Sequence, residues 1–229
     1  MHFDTWEPVY AALLDDFGYD RSGDERARDV LAGLIGDADT YDPTELAIDD
    51  ATVAIAGAGP SLERDADRAA AADLVLAAST AADRLETVGV EVDCQVTDLD
   101  KNPETTRALS EAGTPVAVHA HGDNVPAVET HVPTFDFAAV VPTTQAEPTP
   151  PVVNFGGFTD GDRAAFLADH FGAAELTFVG WDFDDPAVDP EKRRKLWWAE
   201  RLLGWLERRR GEPFAVLDGR RDDIEPIGE

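Results

Sequence analysis

Apolar residues follow two rhythms along this chain, and the change comes near residue 50. Before it, Trp6, Val9, Tyr10, Leu13, Leu14 and Phe17 recur at the spacing of one helix face, and Gly18 is placed to end the segment. A second helical pattern covers 24–34 and stops at Gly36. From residue 52 onward, short apolar runs alternate with amphipathic stretches. The runs at 52–56, 74–78, 93–96, 115–119, 137–141, 152–155 and 176–180 read as buried strands. Between and after them, 63–72, 81–88, 104–111, 161–171 and 191–210 read as helices. This alternation predicts an α/β fold: a Rossmann-like, mostly parallel sheet flanked by helices, with an N-terminal helical extension. The expected division is 1–50 for the extension and 51–229 for the α/β domain. The proline-rich stretch 145–151 reads as a loop inside that domain, because strand signals continue on both sides. The extension carries no chemical motif. Its expected role is closure over a substrate or contact within a homo-oligomer.

Charge changes the picture of the surroundings more than of the fold. The chain has 47 acidic residues against 19 basic ones, a net charge of -28, and its only lysines are Lys101, Lys192 and Lys195. Self-repulsion of this size destabilises a compact chain in dilute buffer and favours solubility in concentrated salt. The expected source is therefore a halophilic, salt-accumulating cytoplasm. The same charge argues against nucleic acid or anionic lipid as a partner. No apolar run approaches the roughly 18 residues of a membrane span, and the opening MHFDTWEPVY lacks a signal-peptide pattern. The single Cys94 excludes an internal disulfide or a cysteine-based zinc site, and is expected to pack in the core.

The chemistry-bearing residues fall at the expected carboxyl ends of strands. Asp98 and Asp100 follow the 93–96 strand with one residue between them, and Asn102-Pro103 opens the next helix. With Asn102 read as the cap, the two carboxylates are spare; a solvated acidic turn is the plainer reading. Paired hard oxygen donors suit Mg²⁺ and a phosphate-bearing substrate. Gly57, Gly59 and Ser61 form a strand–glycine turn–helix start able to cradle phosphate. Leu62 and Pro60 break the dinucleotide fingerprint, and a tight turn capped by Ser61 fits equally well. His119 and His121 alternate, so an extended chain would turn both to one face, with Asp123 near. A transition-metal set, a packed histidine beside a turn-closing one, and a polar substrate contact through His121 and Asn124 all remain open, the last preferred. Asn154 and Phe158 suit a flat heterocycle by amide bonding and stacking. Thr159 or Asp160 caps the next helix, while Asp160 and Asp162 can also serve a metal or a base. Asp182 follows the last strand. Lys192, Arg193, Arg194 and Lys195 open the final helix, where cations oppose the macrodipole, which favours a polyphosphate over plain surface charge. Together these residues predict one crevice that performs phosphoryl or diphosphoryl transfer by positioning and electrostatics. No Ser–His–Asp pattern, Walker loop or kinase signature is present.

The runs IAGAGPSLERD, VTDLDKNPE, HAHGDN, FGGFTDGDRAAFLADHFGA, VGWDFD and KRRKLWWAERLLGWLE together resemble the archaeal 6-hydroxymethyl-7,8-dihydropterin diphosphokinases of the MptE type. The resemblance covers nearly the whole chain and is weakest over 1–50. The family is similar to thiamine pyrophosphokinase in its catalytic domain. The resemblance implies a transferase that moves diphosphate from ATP to the pterin, releasing AMP, in folate or methanopterin biosynthesis. It implies Mg²⁺ on Asp98 and Asp100, and ATP on Gly57, Gly59, Ser61, Lys192 and Lys195. His121, Asn124, Asn154, Phe158, Thr159 and Asp160 form the expected substrate set. A general base is not clearly encoded; Asp123, Asp160 or a metal-held hydroxide are the choices. A nucleotide-sugar glycosyltransferase using the Asp-x-Asp turn, or a non-catalytic nucleotide-binding module, are the alternatives. From the charge alone, the thermal unfolding midpoint is expected to rise from dilute buffer to molar KCl, as scanning calorimetry in a salt series would show.

Overall fold

The computed structural model describes residues 1–227. In chain order the elements are α1 (Phe3–Phe17), α2 (Arg21–Ile35), β1 (Thr52–Ala56), α3 (Ala66–Ala70), β2 (Leu74–Ala78), α4 (Ala81–Thr87), β3 (Cys94–Thr97), α5 (Pro103–Glu111), β4 (Val116–Ala120), α6 (Val125–His131), β5 (Val140–Thr144), α7 (Asp160–His170), β6 (Glu175–Val179) and α8 (Pro190–Arg210). Parallel strands alternate with helices after a helical start, which is the α/β class that the apolar rhythm predicts. Two compact units interleave along the chain: 1–47 with 93–156, and 48–92 with the residues from 157 onward. Among the described residues, no helix is long and apolar enough to cross a membrane.

In the first unit β4 lies between β3 and β5, with Val116 opposite Gln95 on one side and Val140 on the other. All five β4 residues are buried, as expected of a strand covered on both faces. Cys94 of β3 is fully buried, and burial pushes its thiol up to about 12. The helix α1 buries Trp6, Val9, Tyr10, Leu13 and Leu14, the stripe read from the sequence, and Gly18 ends it at φ 70. Asp20 caps α2 by accepting the Ser22 N–H at 3.1 Å. That helix then packs on β4, β5 and α6. Trp6 Nε1 donates to the Gln145 carbonyl at 3.3 Å, tying α1 to the end of β5.

Two strand expectations need correction here. The run at 137–141 is a strand only from Val140. Asp136 accepts the Ala138 N–H at 3.1 Å and winds Phe137–Ala139 into a 3₁₀ turn first. The run at 152–155 makes only isolated bridges, Thr143 with Val153 and Thr149 with Val152. Pro150 and Pro151 remove ladder donors just before it.

In the second unit β1 is central, with Ile55 opposite Leu76 of β2 and Phe178 of β6. The helix expected over 63–72 is helical only over Ala66–Ala70, and turns fill 60–65. The helix α7 packs on β1, β2 and α8. Its Phe166 is fully buried, with its ring centroid 5.8 Å from that of Trp205 on α8. The same C-terminal half of α8 is held by arginines. Arg220 pairs with Asp184 and Glu200, and Arg221 with Glu207 at 2.8 Å and Asp218 at 2.6 Å. Arg210 binds Asp169 at 3.1 Å and Glu212 at 2.6 Å. The buried helix face, not these surface pairs, carries most of the stability. Phe166→Ala is expected to cost about 3–5 kcal/mol in a denaturant-unfolding measurement.

Candidate functional site

In the first unit the turn after β3 is shaped by its own side chains. Thr97 Oγ1 accepts the Leu99 N–H at 3.0 Å, and Asp98 Oδ1 accepts the Asp100 N–H at 3.1 Å. Leu99 stands at φ 66 with its side chain buried. A non-glycine residue there costs about 1–2 kcal/mol, which the buried leucine and the two turn bonds offset. The turn is therefore fixed, with Asp98 partly enclosed and Asp100 exposed at its edge. Lys101 Nζ lies 3.9 Å from Asp100 Oδ2. The expected Asn102 cap needs correction. Asn102 occupies the cap position at φ 48 but makes no side-chain cap bond. Its carbonyl accepts the Thr105 N–H at 3.0 Å instead, and Pro103 brings no N–H to satisfy.

The HAHGDN turn meets this one. Asn124 donates to the Asp98 and His119 carbonyls, both at 2.7 Å, and accepts the His121 N–H at 2.9 Å. Its buried amide thus brackets the ends of β3 and β4 rather than facing outward. His121 Nε2 lies 3.5 Å from Asp98 Oδ2. His119 is buried inside β4, with Nδ1 3.0 Å from Thr143 Oγ1. The Thr143 hydroxyl gives its one proton to the Val118 carbonyl at 3.1 Å, which leaves it accepting from an Nδ1–H. The two histidines thus have different settings, one packed and one beside a carboxylate. Among the described residues, no group of three or more His, Cys, Asp or Glu is placed to hold a metal ion. Asp123 is exposed. Asn154 is buried, donating to the Ala146 carbonyl and accepting the Gly156 N–H, both at 2.7 Å.

In the second unit the glycine turn is met by the exit of β6. A Cβ on Gly57 would lie 2.7 Å from the Gly180 carbonyl, and one on Gly59 would collide with Asp182 Oδ2. The Ser61 N–H and hydroxyl both donate to that carboxylate, at 2.9 and 2.7 Å. Ser61 is therefore paired with Asp182 and does not cap the following helix. Arg84, unremarked in the sequence, braces the turn from α4. It donates to the Ala58 and Gly59 carbonyls at 2.6 and 3.0 Å and to both Glu63 oxygens at 2.5 Å. The Arg84 hydrogen bonds hold the Glu63 carboxyl at about 2. Trp181 Nε1 donates to the Ile55 carbonyl at 3.0 Å, and its ring would meet a Cβ on Gly161 at 2.8 Å.

At the start of α7, Asp162 is fully buried and closes the turn. It accepts the Phe158 N–H, the Thr159 N–H at 3.0 Å and the Thr159 hydroxyl at 2.6 Å. Burial pushes its carboxyl up, against those donors and the Arg163 charge. Phe158 is itself buried, and Asp160 pairs with Arg163 at 3.0 Å. On α8, Asp189 accepts the Lys192 N–H at 2.8 Å, and Lys195 pairs with Glu191 at 3.0 Å. The structure thus joins Asp98, His121 and Asn124 in one unit, and Gly59, Ser61 and Asp182 in the other. Arg84 and the Ser61–Asp182 pair had no local signature; only the matching turn and strand-end runs, VGWDFD and GAGPS, hinted at the second.

The family described as "6-hydroxymethylpterin diphosphokinase MptE-like" matches residues 38–187. A 6-hydroxymethyl-7,8-dihydropterin pyrophosphokinase of Methanothermobacter thermautotrophicus is 37% identical over 225 residues, covering 91% of this chain and 96% of that protein. One of the same name from Pyrococcus furiosus is 37% identical over 225 residues, covering 90% and 95%. Among solved structures, the MAf glycosyltransferase of Magnetospirillum magneticum AMB-1 aligns with TM-score 0.46 and 19% identity, over 82% of this chain and 34% of that one.

The Glu63–Arg84 brace has a readable pH dependence. The folded carboxyl lies near 2 against an ordinary 4.5, so its contribution is present above about 4.5 and is lost as pH falls toward about 2. Carboxyl NMR is expected to show Glu63 titrating near the lower value and returning toward 4.5 in Arg84→Ala.

Proposed function

The chain belongs to the 6-hydroxymethylpterin diphosphokinase MptE-like family, and from that premise we propose that it transfers the diphosphate of ATP to 6-hydroxymethyl-7,8-dihydropterin and releases AMP. Membership makes it a pyrophosphokinase, a transferase. The observation that carries the finer reading is the fixed turn at the end of β3. There Asp98 is held by the Asp100 N–H and by Asn124, beside His121.

Asp98 and Asp100 fit Mg²⁺ by their donor chemistry. Both offer hard carboxylate oxygens, one partly enclosed and one exposed, which suits an ion that keeps several waters. When bound there, the ion would neutralise charge on the transferring diphosphate. In this reading the pterin hydroxymethyl oxygen attacks the β-phosphorus, the bond from that phosphorus to the α-phosphate oxygen breaks, and AMP leaves. Asp123, exposed on the turn next to His121, takes the hydroxymethyl proton. Its exposure supports it over Asp160, which is engaged with Arg163 at 3.0 Å.

The nucleotide phosphates are assigned to the glycine turn and to Lys192 and Lys195. The Ser61 N–H and hydroxyl already have Asp182 as acceptor, so phosphate binding at that turn exchanges one anion for another. His121, Asn124, Asn154, Phe158, Thr159 and Asp160 remain the substrate set. The bonds of Asn124 and Asn154 to backbone favour holding their turns in place over touching the ligand. The product would enter folate or methanopterin synthesis.

Asp98→Asn, assayed at molar salt with ATP, Mg²⁺ and the pterin, is expected to lower AMP and diphosphopterin formation by about 100-fold or more while the circular dichroism stays native. A wild-type rate in that variant sinks the metal assignment. A nucleoside diphosphate released from a sugar donor would sink the transfer reaction itself.

A further inference from the structure

Asp24 has no part in the reaction described above, yet it is a buried carboxylate on α2, only 4% exposed. Three donors from three separate parts of the first unit converge on it. Its Oδ2 accepts the Tyr10 hydroxyl of α1 at 2.7 Å and the Gln145 side-chain amide beyond β5 at 2.8 Å. Its Oδ1 accepts the Gly122 backbone N–H at 2.7 Å. Burial first, and then the Asp24 charge, raise the Tyr10 hydroxyl well above its ordinary range, so Tyr10 remains a protonated donor.

The backbones also touch at this point. A Cβ built on Gly23 would lie 3.4 Å from Gly122 Cα, and one on Gly122 would lie 3.3 Å from Gly23 Cα. The first turn of α2 therefore rests directly on the HAHGDN turn. The neighbours of Gly122 on that turn reach the β3 end: His121 Nε2 is 3.5 Å from Asp98 Oδ2, and Asn124 holds the Asp98 carbonyl at 2.7 Å. Of the three bonds to Asp24, those from Tyr10 and Gln145 fasten the helices to the unit. The bond from Gly122 alone fixes the turn.

We propose that Asp24 is a positioning residue for the diphosphate transfer: by holding the Gly122 N–H it sets where His121 and Asn124 meet Asp98. This rests on the reading that Asp98 serves the reaction. It gives the N-terminal helices a catalytic purpose that no motif within them reveals. As arranged, all three groups donate to Asp24; an amide in its place keeps one acceptor oxygen and cannot serve Gly122 on one side and Tyr10 and Gln145 on the other without rearrangement.

The test compares Asp24→Asn with Tyr10→Phe in the full chain. Tyr10→Phe removes one bond to the same carboxylate but leaves Gly122 held, and is expected to keep kcat near wild type even if the melting temperature drops. Asp24→Asn is expected to lower kcat by about 10- to 100-fold and raise the Mg²⁺ needed for half-maximal rate, with KM for ATP unchanged. The Gly122 amide resonance should move in Asp24→Asn and not in Tyr10→Phe. Equal kcat losses in the two variants, or a wild-type kcat in Asp24→Asn, overturn the proposal. Should Asp24→Asn not fold, Gly23→Val serves. Its Cβ would meet Gly122 Cα at 3.4 Å and the methyls beyond it add bulk at that contact, so kcat should fall in a folded protein, and a wild-type kcat there overturns the proposal too. Asp98→Asn separates the two readings. Normal kcat in that variant overturns the metal assignment and this proposal with it; normal kcat in Asp24→Asn beside an inactive Asp98→Asn overturns this proposal alone.

Discussion

A backbone N–H that leaves a parallel strand has lost its ladder partner and needs another acceptor. In this chain the acceptor is repeatedly an aspartate. Beyond strand ends, Asp98 serves the Asp100 N–H, Asp24 the Gly122 N–H and Asp182 the Ser61 N–H; ahead of α7, Asp162 does the same for the Phe158 and Thr159 N–H groups. A buried donor without an acceptor costs about 1–3 kcal/mol, so the enclosed ones among these bonds limit which turn shapes are available. They also give the short chemistry-bearing turns, the glycine-containing ones among them, defined partners at their backbone. Fixed donors and acceptors need little reorganisation when charge moves during a reaction.

The acidic composition thus has two parts that obey different physics. Most carboxylates are solvated and set the net charge. A few are internal and have a definite donor set, and for them concentrated salt is nearly irrelevant because they are not screened. The arginines divide in the same way. Arg84, Arg210, Arg220 and Arg221 each bind more than one acceptor through a planar five-donor fork, a fixed geometry that the compact ammonium of a lysine does not offer.

Local pattern made much of this fold legible. The strands Thr52–Ala56 and Leu74–Ala78 match the apolar runs at both ends, because apolar residues run unbroken between polar or turn residues there. The end of α1 was legible from Gly18. The start of β5 was not, because a single Asp136 bond reshaped three residues of an apolar run that reads as a strand. Nor was the loss of a strand at 152–155, where two prolines outweigh a favourable apolar run. For the site, a strand end carrying Asp98 could be read directly. The roles of Asn124 and Asp182 could not, since each joins residues that only the folded chain brings together; Ser61 and Asp182 are 121 positions apart. Asn102 misled in the opposite sense: the residue type suits a cap, and the backbone carbonyl performs that task instead.

Cys94 has a use that lies outside catalysis. It is the only thiol of the chain, enclosed in β3 and held protonated by its surroundings. Alkylating reagents act on the thiolate, so the native protein is silent toward them and reaction must wait for β3 to open. The natural sequence therefore carries its own clock for the opening of one strand, readable by mass spectrometry. A cysteine placed on the surface could be tagged selectively without first removing this one.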